Sequence, residues 1–167
     1  MREKISAALK EAQETGAKRR MAALRLVQTA IKDRDSAARS TGRDGVADEE
    51  VLDILLQMVR QRDLSVREFE EGSQLDLAER EREERDIIRE FLPPQLDDQQ
   101  VQAVCEEMVR DINANGLRDI GRCMNELKAR YPGKMDFVQA SCVVKVLLRS
   151  NTSTGQTPGS SSKAGEA

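Results

Sequence analysis

The residues best equipped for chemistry in this chain are three cysteines, Cys105, Cys123 and Cys142, in a sequence that contains no histidine. A thiol becomes a nucleophile when a nearby base or positive charge stabilises its thiolate. Without an imidazole, Cys-His and Ser-His pairs and most catalytic zinc sites are excluded. No two of the cysteines form a C-x-x-C pair and their number is odd, which argues against a disulfide framework or a zinc site. Cys105 and Cys123 fall on apolar helical stripes and read as small core residues. Cys142 falls nearer the edge of its stripe, with Lys145 three residues on as weak electropositive support. Asp and Glu together number 30, so paired carboxylates arise by chance. No D-x-D-x-D-G loop, H-E-x-x-H, G-x-x-x-x-G-K-[ST] or G-x-G-x-x-G occurs, so neither a metal nor another cofactor is expected.

The basic residues carry more information. Arg118, Arg122 and Asn125 recur at the spacing of one helical face, Lys128 lies at its margin, and Lys134 follows in a Pro-Gly turn. A second group comprises Lys18, Arg19, Arg20 and Arg25. Such faces can track phosphates, and ordinary solubilising charge is the alternative. The formal net charge is only −3, so no field over the whole molecule favours a nucleic acid and local patches must do so. Gly121 lies inside the same helical stretch, where glycine costs about 1 kcal/mol against alanine. Close helix packing or close approach of a ligand to the backbone would offset that cost.

These residues need helices to position them. Aromatic residues are 2% of the chain and charged residues 34%, which disfavours sandwiches and barrels and suits helices with wide solvated faces. The pattern predicts an all-α chain of seven helices. The first spans 2–14. The second spans 17–38, with Met21, Leu24, Val27 and Ile31 on one side. A Gly- and Ser-containing loop over 37–47 follows. The third runs from a cap at Asp48 to Glu71, burying Val51, Leu55, Met58, Val59, Val66 and Phe69, interrupted by Arg62. The fourth, 74–92, has a nearly all-charged middle that reads as a solvated face or an acidic docking surface. Pro93-Pro94 then breaks the helical pattern and sets a domain boundary.

Beyond the prolines, Asp97 and Gln100 can form a capping box. Val101, Val104, Cys105, Met108, Val109 and Ile112 follow as one stripe. The sixth helix, 117–131, is expected to bury Leu117, Ile120, Cys123, Met124 and Leu127. After a turn at Pro132-Gly133, Asp136 with Gln139 can cap the seventh helix, whose apolar side holds Phe137, Ala140, Val144, Leu147 and Leu148. Three short helices cannot bury their stripes singly and must form a bundle. The expected organisation is an N-terminal helical domain over 1–92, a three-helix domain over 93–149, and a Ser/Thr/Gly-rich disordered tail over 150–167. The first residues have no apolar core long enough for a signal peptide, and no stretch approaches the roughly 18 apolar residues of a membrane span. A reducing cytoplasm, with no membrane partner, is the expected setting.

The stretches LRLVQTAIKDRD at 24–35, DEEVLDILLQMVRQRDLSVREFEEGSQLDLAERE at 48–81, IIREFLPPQLDDQQV at 87–101 and LRDIGRCMNELKARYPGKMDFVQASCVVKVLL at 117–148 resemble the YqeY-like family. Its members are stand-alone relatives of the tail of the B subunit of the tRNA-dependent amidotransferase. The resemblance covers nearly all of residues 1–149 and implies an N-terminal helical domain and a C-terminal three-helix domain. It also implies a relation to a tail that contacts tRNA, while the kinase, ammonia-acceptor and glutamine-hydrolysing sites of the amidotransferase lie in parts this chain lacks. Gly121, Arg122 and Met124 match the family motif of glycine, basic residue, any residue, methionine, and Lys134 and Asp136 match the basic turn before the last helix. Family members often carry lysine at the position of Arg122 and serine at that of Ala47. Arginine keeps the charge and changes the geometry. The expected function is a non-catalytic module binding tRNA or other structured RNA through residues 118–134, with the second helix contributing. A protein–protein adaptor of the aminoacyl-tRNA or amidotransferase machinery is the alternative. A carbon–nitrogen ligase using glutamine as amide donor is the least favoured, because no nucleophile–base pair is in sight.

Overall fold

The computed structural model describes residues 1–153, which form seven α-helices and one short 3₁₀ turn and contain no strand. They divide into two units. The first comprises Met1–Leu96 and Tyr131–Asp136; the second comprises Asp97–Arg130 and the chain from Phe137. The break therefore falls a few residues after the prolines, and the turn around Gly133 groups with the first unit. Backbone bonding explains both. The Leu96 N–H donates to the Lys134 carbonyl at 2.8 Å, and the Gln95 amide donates to the Pro93 and Gly133 carbonyls at 2.7 Å each.

The first unit is built from α1 (Arg2–Glu14), α2 (Lys18–Ser40), α3 (Asp48–Glu71) and α4 (Leu75–Arg89). α3 packs along α4, while α2 touches α1, α3 and α4. Ile5, Leu9, Leu24, Val27, Ile31, Val51, Leu55, Val59 and Ile88 make one apolar core, as the 3.6-residue periodicity predicts. Capping differs at α3. Asp48 is its first helical residue and Ala47 its N-cap, where no side chain can accept a bond. Glu50 compensates by accepting the Ala47 N–H at 3.0 Å, half of a capping box.

A buried carboxylate ties the corner of this unit. Asp35, 7% exposed, accepts two 2.8 Å bonds from Arg2 and one of 2.9 Å from the Val46 N–H. Gly45 sits at φ +146°, and a Cβ there would lie 2.9 Å from the Asp35 Oδ1. The loop after α2 thus closes only over a residue without a side chain. Gly133, at φ +69°, is confined in the same way: a Cβ would meet the Leu52 side chain at 2.9 Å.

The second unit contains α5 (Asp98–Asp111), a 3₁₀ turn at Leu117–Asp119, α6 (Ile120–Arg130) and α7 (Phe137–Ser153). The Asp97–Gln100 box forms in both directions, at 2.8 and 3.0 Å. Val101, Cys105, Met108, Cys123, Leu127, Ala140, Val144 and Leu148 are buried. Two expectations change. Leu117 is 48% exposed, because the 3₁₀ turn rotates it off the stripe that α6 continues. α7 runs through Ser153, so residues 150–153 are helical where a disordered tail was expected. The rest of that tail lies outside the described residues. Gln139 donates to Asp98 at 2.9 Å, and Asp136 lies 3.8 Å from Arg60.

Candidate nucleic-acid interface

The cysteines are placed as their periodicity predicts. Cys105 and Cys123 are fully buried and Cys142 is exposed. Burial pushes the Cys105 thiol up to about 11 and also raises that of Cys123, the opposite of what a nucleophile requires. Among the described residues, no group of three or more His, Cys, Asp or Glu side chains is arranged to hold a metal ion.

The charged middle of α4 is not a free acidic surface. Arg62 on α3 lies 3.3 Å from Glu81 and 3.0 Å from Glu84. Arg85 and Arg89 of α4 reach Asp63 at 3.1 and 3.3 Å, and Arg82 pairs with Glu70. Arg62, which interrupts the apolar stripe of α3, is the centre of this ladder, with its side chain 14% exposed. The basic start of α2 joins it: Arg19 pairs with Glu83, and Arg20 with Glu90 at 2.7 Å. Those acids raise the pKa of both guanidinium groups, chiefly through the hydrogen bonds. Arg19 and Arg20 are therefore engaged within the fold. Lys18 and Arg25 are exposed and make no ion pair among the described residues.

The α6 face is organised differently. Arg118, Gly121, Arg122, Asn125 and Lys128 are all exposed, and Cys123 and Leu127 point into the core. The Arg118 side chain has no bonding partner among the described residues. Arg122 donates to Asp119 at 3.0 Å and to the Ile112 carbonyl at 3.4 Å, which aims the guanidinium across the start of the helix. Asp119 is held below the usual carboxylate range, first by the Asn115 N–H at 3.1 Å and then by Arg122. The Lys128 ammonium lies 5.6 Å from the centre of the Phe137 ring. Arg130 is tied to Glu126 and Asp111 at 2.8 and 3.0 Å and faces away from this use. Lys134 is exposed but belongs to the first unit with the Gly133 turn.

Gly121 is the most informative residue of the face. Nothing lies within 4 Å of where its Cβ would be, so helix packing does not account for it. What it creates is a stretch of bare helix backbone between Arg118, Arg122 and Asn125. A cleft of about 440 Å³ beside α2 and α3 is also lined by charge, but its Arg43 and Glu50 bind each other. No described helix is long and apolar enough to cross a membrane.

A search of curated proteins finds no match for the chain. The family model described as Yqey-like protein matches residues 2–148, which take in both units and the α6 face. The chain belongs to the YqeY-like family.

Proposed function

We propose that this chain is a non-catalytic module that binds structured RNA, tRNA foremost, through the outward face of α6. The observation that carries the reading is the exposed glycine among cations. Phosphate groups are drawn by Arg118, Arg122 and Lys128, and Gly121 lets the sugar-phosphate chain come against the helix backbone. Asn125 adds an amide that both donates and accepts, suited to a ribose hydroxyl. Lys134, Lys18 and Arg25 are exposed cations of the first unit, where Arg19 and Arg20 are tied to Glu83 and Glu90. The likeness of the family to the tRNA-contacting amidotransferase tail supports the same reading, as does the inert setting of the two buried thiols.

The test is a tRNA titration over a range of salt. Affinity should fall steeply as salt rises, and Arg122→Glu should weaken binding about tenfold at low salt, or about 1.4 kcal/mol. Gly121→Leu should weaken it comparably without altering any charge. Parent and variants binding tRNA alike, or a parent that ignores tRNA at low salt, would refute the proposal.

A further inference from the structure

We propose that α2 carries a self-contained phosphate track that holds the duplex stem of a structured RNA without reading its sequence. Lys18, Arg25, Lys32 and Arg39 recur at every seventh residue of this helix, and all four are exposed. At about 1.5 Å per residue, consecutive cations stand about 10.5 Å apart and the row runs about 31 Å. None of the four makes a side-chain hydrogen bond or an ion pair among the described residues, unlike Arg19 and Arg20. Arg39 feels the Asp35 carboxylate, but Arg2 and the Val46 N–H occupy the oxygens of that group. Ala22, Thr29 and Ser36 fall between the cations and are also exposed, so short side chains leave the row open. Asp33, beside Lys32, is the one acid of α2 at its border, because Asp35 is buried under Arg2.

The composition of the row selects its occupant. The inference rests on RNA as the ligand class proposed above, but not on the α6 face. Lysine, arginine, serine and threonine bind phosphate oxygens and fix register without contacting bases. α2 has no aromatic residue, so the unstacked bases of a single strand would find no platform. A straight, stiff row of cations suits a polyanion that is equally stiff, which a duplex is. A protein partner would need an aliphatic or aromatic anchor, and the row holds no apolar residue larger than Ala22. Leu26, 48% exposed, lies about a quarter turn away from it. A lipid surface asks for apolar side chains to bury beside its cations.

The test titrates the full chain with a blunt RNA duplex of arbitrary sequence, longer than the row, over a range of salt. Four phosphate contacts contribute about 3.6 to the slope of log affinity on log salt. K18Q/R25Q/K32Q/R39Q should therefore flatten that slope by about 3 to 4, and each single change by about 1. K4Q/R67Q/R80Q/K145Q removes the same charge from exposed sites elsewhere and should flatten it far less. A22K adds a cation to the row and should steepen the slope by about 1. That gain decides the matter if the fourfold row variant does not fold, as judged by its melting temperature. R118E/R122E separates this proposal from the α6 reading. If it abolishes duplex binding while the row variant keeps it, this proposal falls and the α6 reading stands. The opposite pattern removes the α6 reading and keeps the track. Equal losses in the row variant and its charge-matched control would overturn the proposal. So would a parent that ignores the duplex at low salt, or one that binds an acidic helical peptide more tightly.

Discussion

α4 and α6 are both rich in charge, yet they spend it in opposite directions. In α4 the acids and arginines close on Arg62, Asp63, Glu70, Arg19 and Arg20 of neighbouring helices. On α6 and the turn before it, Arg118, Arg122 and Lys128 are exposed around a glycine with empty space above it, and the pair that Arg122 makes with Asp119 stays within one turn. The difference teaches that charge density along a helix says little about binding. What decides is whether the fold ties those charges across to a neighbouring helix or leaves them on an exposed face, because charges matched between helices present little net field to a visitor.

Substitutions of inward pairs should cost stability and leave RNA binding alone, while changes on α6 should do the reverse. The largest effect is expected at the Asp35 tie. Asp35→Asn should lower the melting temperature by about ten degrees, because it weakens the Arg2 fork and removes a charge from the Val46 N–H. Arg2 above all, and then Val46, hold the Asp35 carboxyl at about 2 against an ordinary 3.8. A lowered pKa means the stabilisation is complete above pH 3.8 and fades as pH falls toward 2, so acid melts of the Asn variant and parent should converge there.

Arg62→Ala comes next. It leaves Glu81 and Glu84 partly buried without their cation and should cost about 2 kcal/mol in urea unfolding, with tRNA affinity unchanged. In the turn that leads into α6, Arg118→Glu should weaken tRNA about tenfold and shift the melting temperature little. Gly121→Ala separates the two quantities most cleanly. The new methyl meets nothing, so stability should rise by about 0.5–1 kcal/mol, while RNA affinity falls or holds but does not improve. Arg19→Ala, which breaks an exposed pair, should leave the urea midpoint essentially where it is in the parent. A loss of tRNA affinity in Arg62→Ala or Arg19→Ala would erase the contrast between the two helices.

Much of the fold was legible in advance for physical reasons. Apolar periodicity located the helices, and the Asp97–Gln100 box and the Pro132-Gly133 turn are local devices that need no tertiary knowledge. The roles of Arg62, Arg19 and Arg20 were not legible, because the partners of Arg62 lie about 20 residues away and those of Arg19 and Arg20 more than 60. The Asp35 tie reaches across 33 residues to Arg2 and left no local signal either. Leu117 misled because hydropathy does not register the switch from 3₁₀ to α geometry. Arg122, Asn125 and Lys128 are exposed on α6 and Arg118 on the turn before it, but only the structure shows that Gly121 looks into open space.

The Gly133 turn has a consequence for dissecting this molecule. Residues 131–136 lie in the chain between α6 and α7 but find their place beside Leu52, Gln95 and Leu96. A fragment starting at Asp97 would carry off a loop whose seat remains behind, with Met135, now 1% exposed, stripped of cover. A fragment ending at Leu96 would leave that seat empty. Truncation is therefore a poor way to assign activities to halves of this chain, and point substitution within the intact polypeptide is the sounder tool.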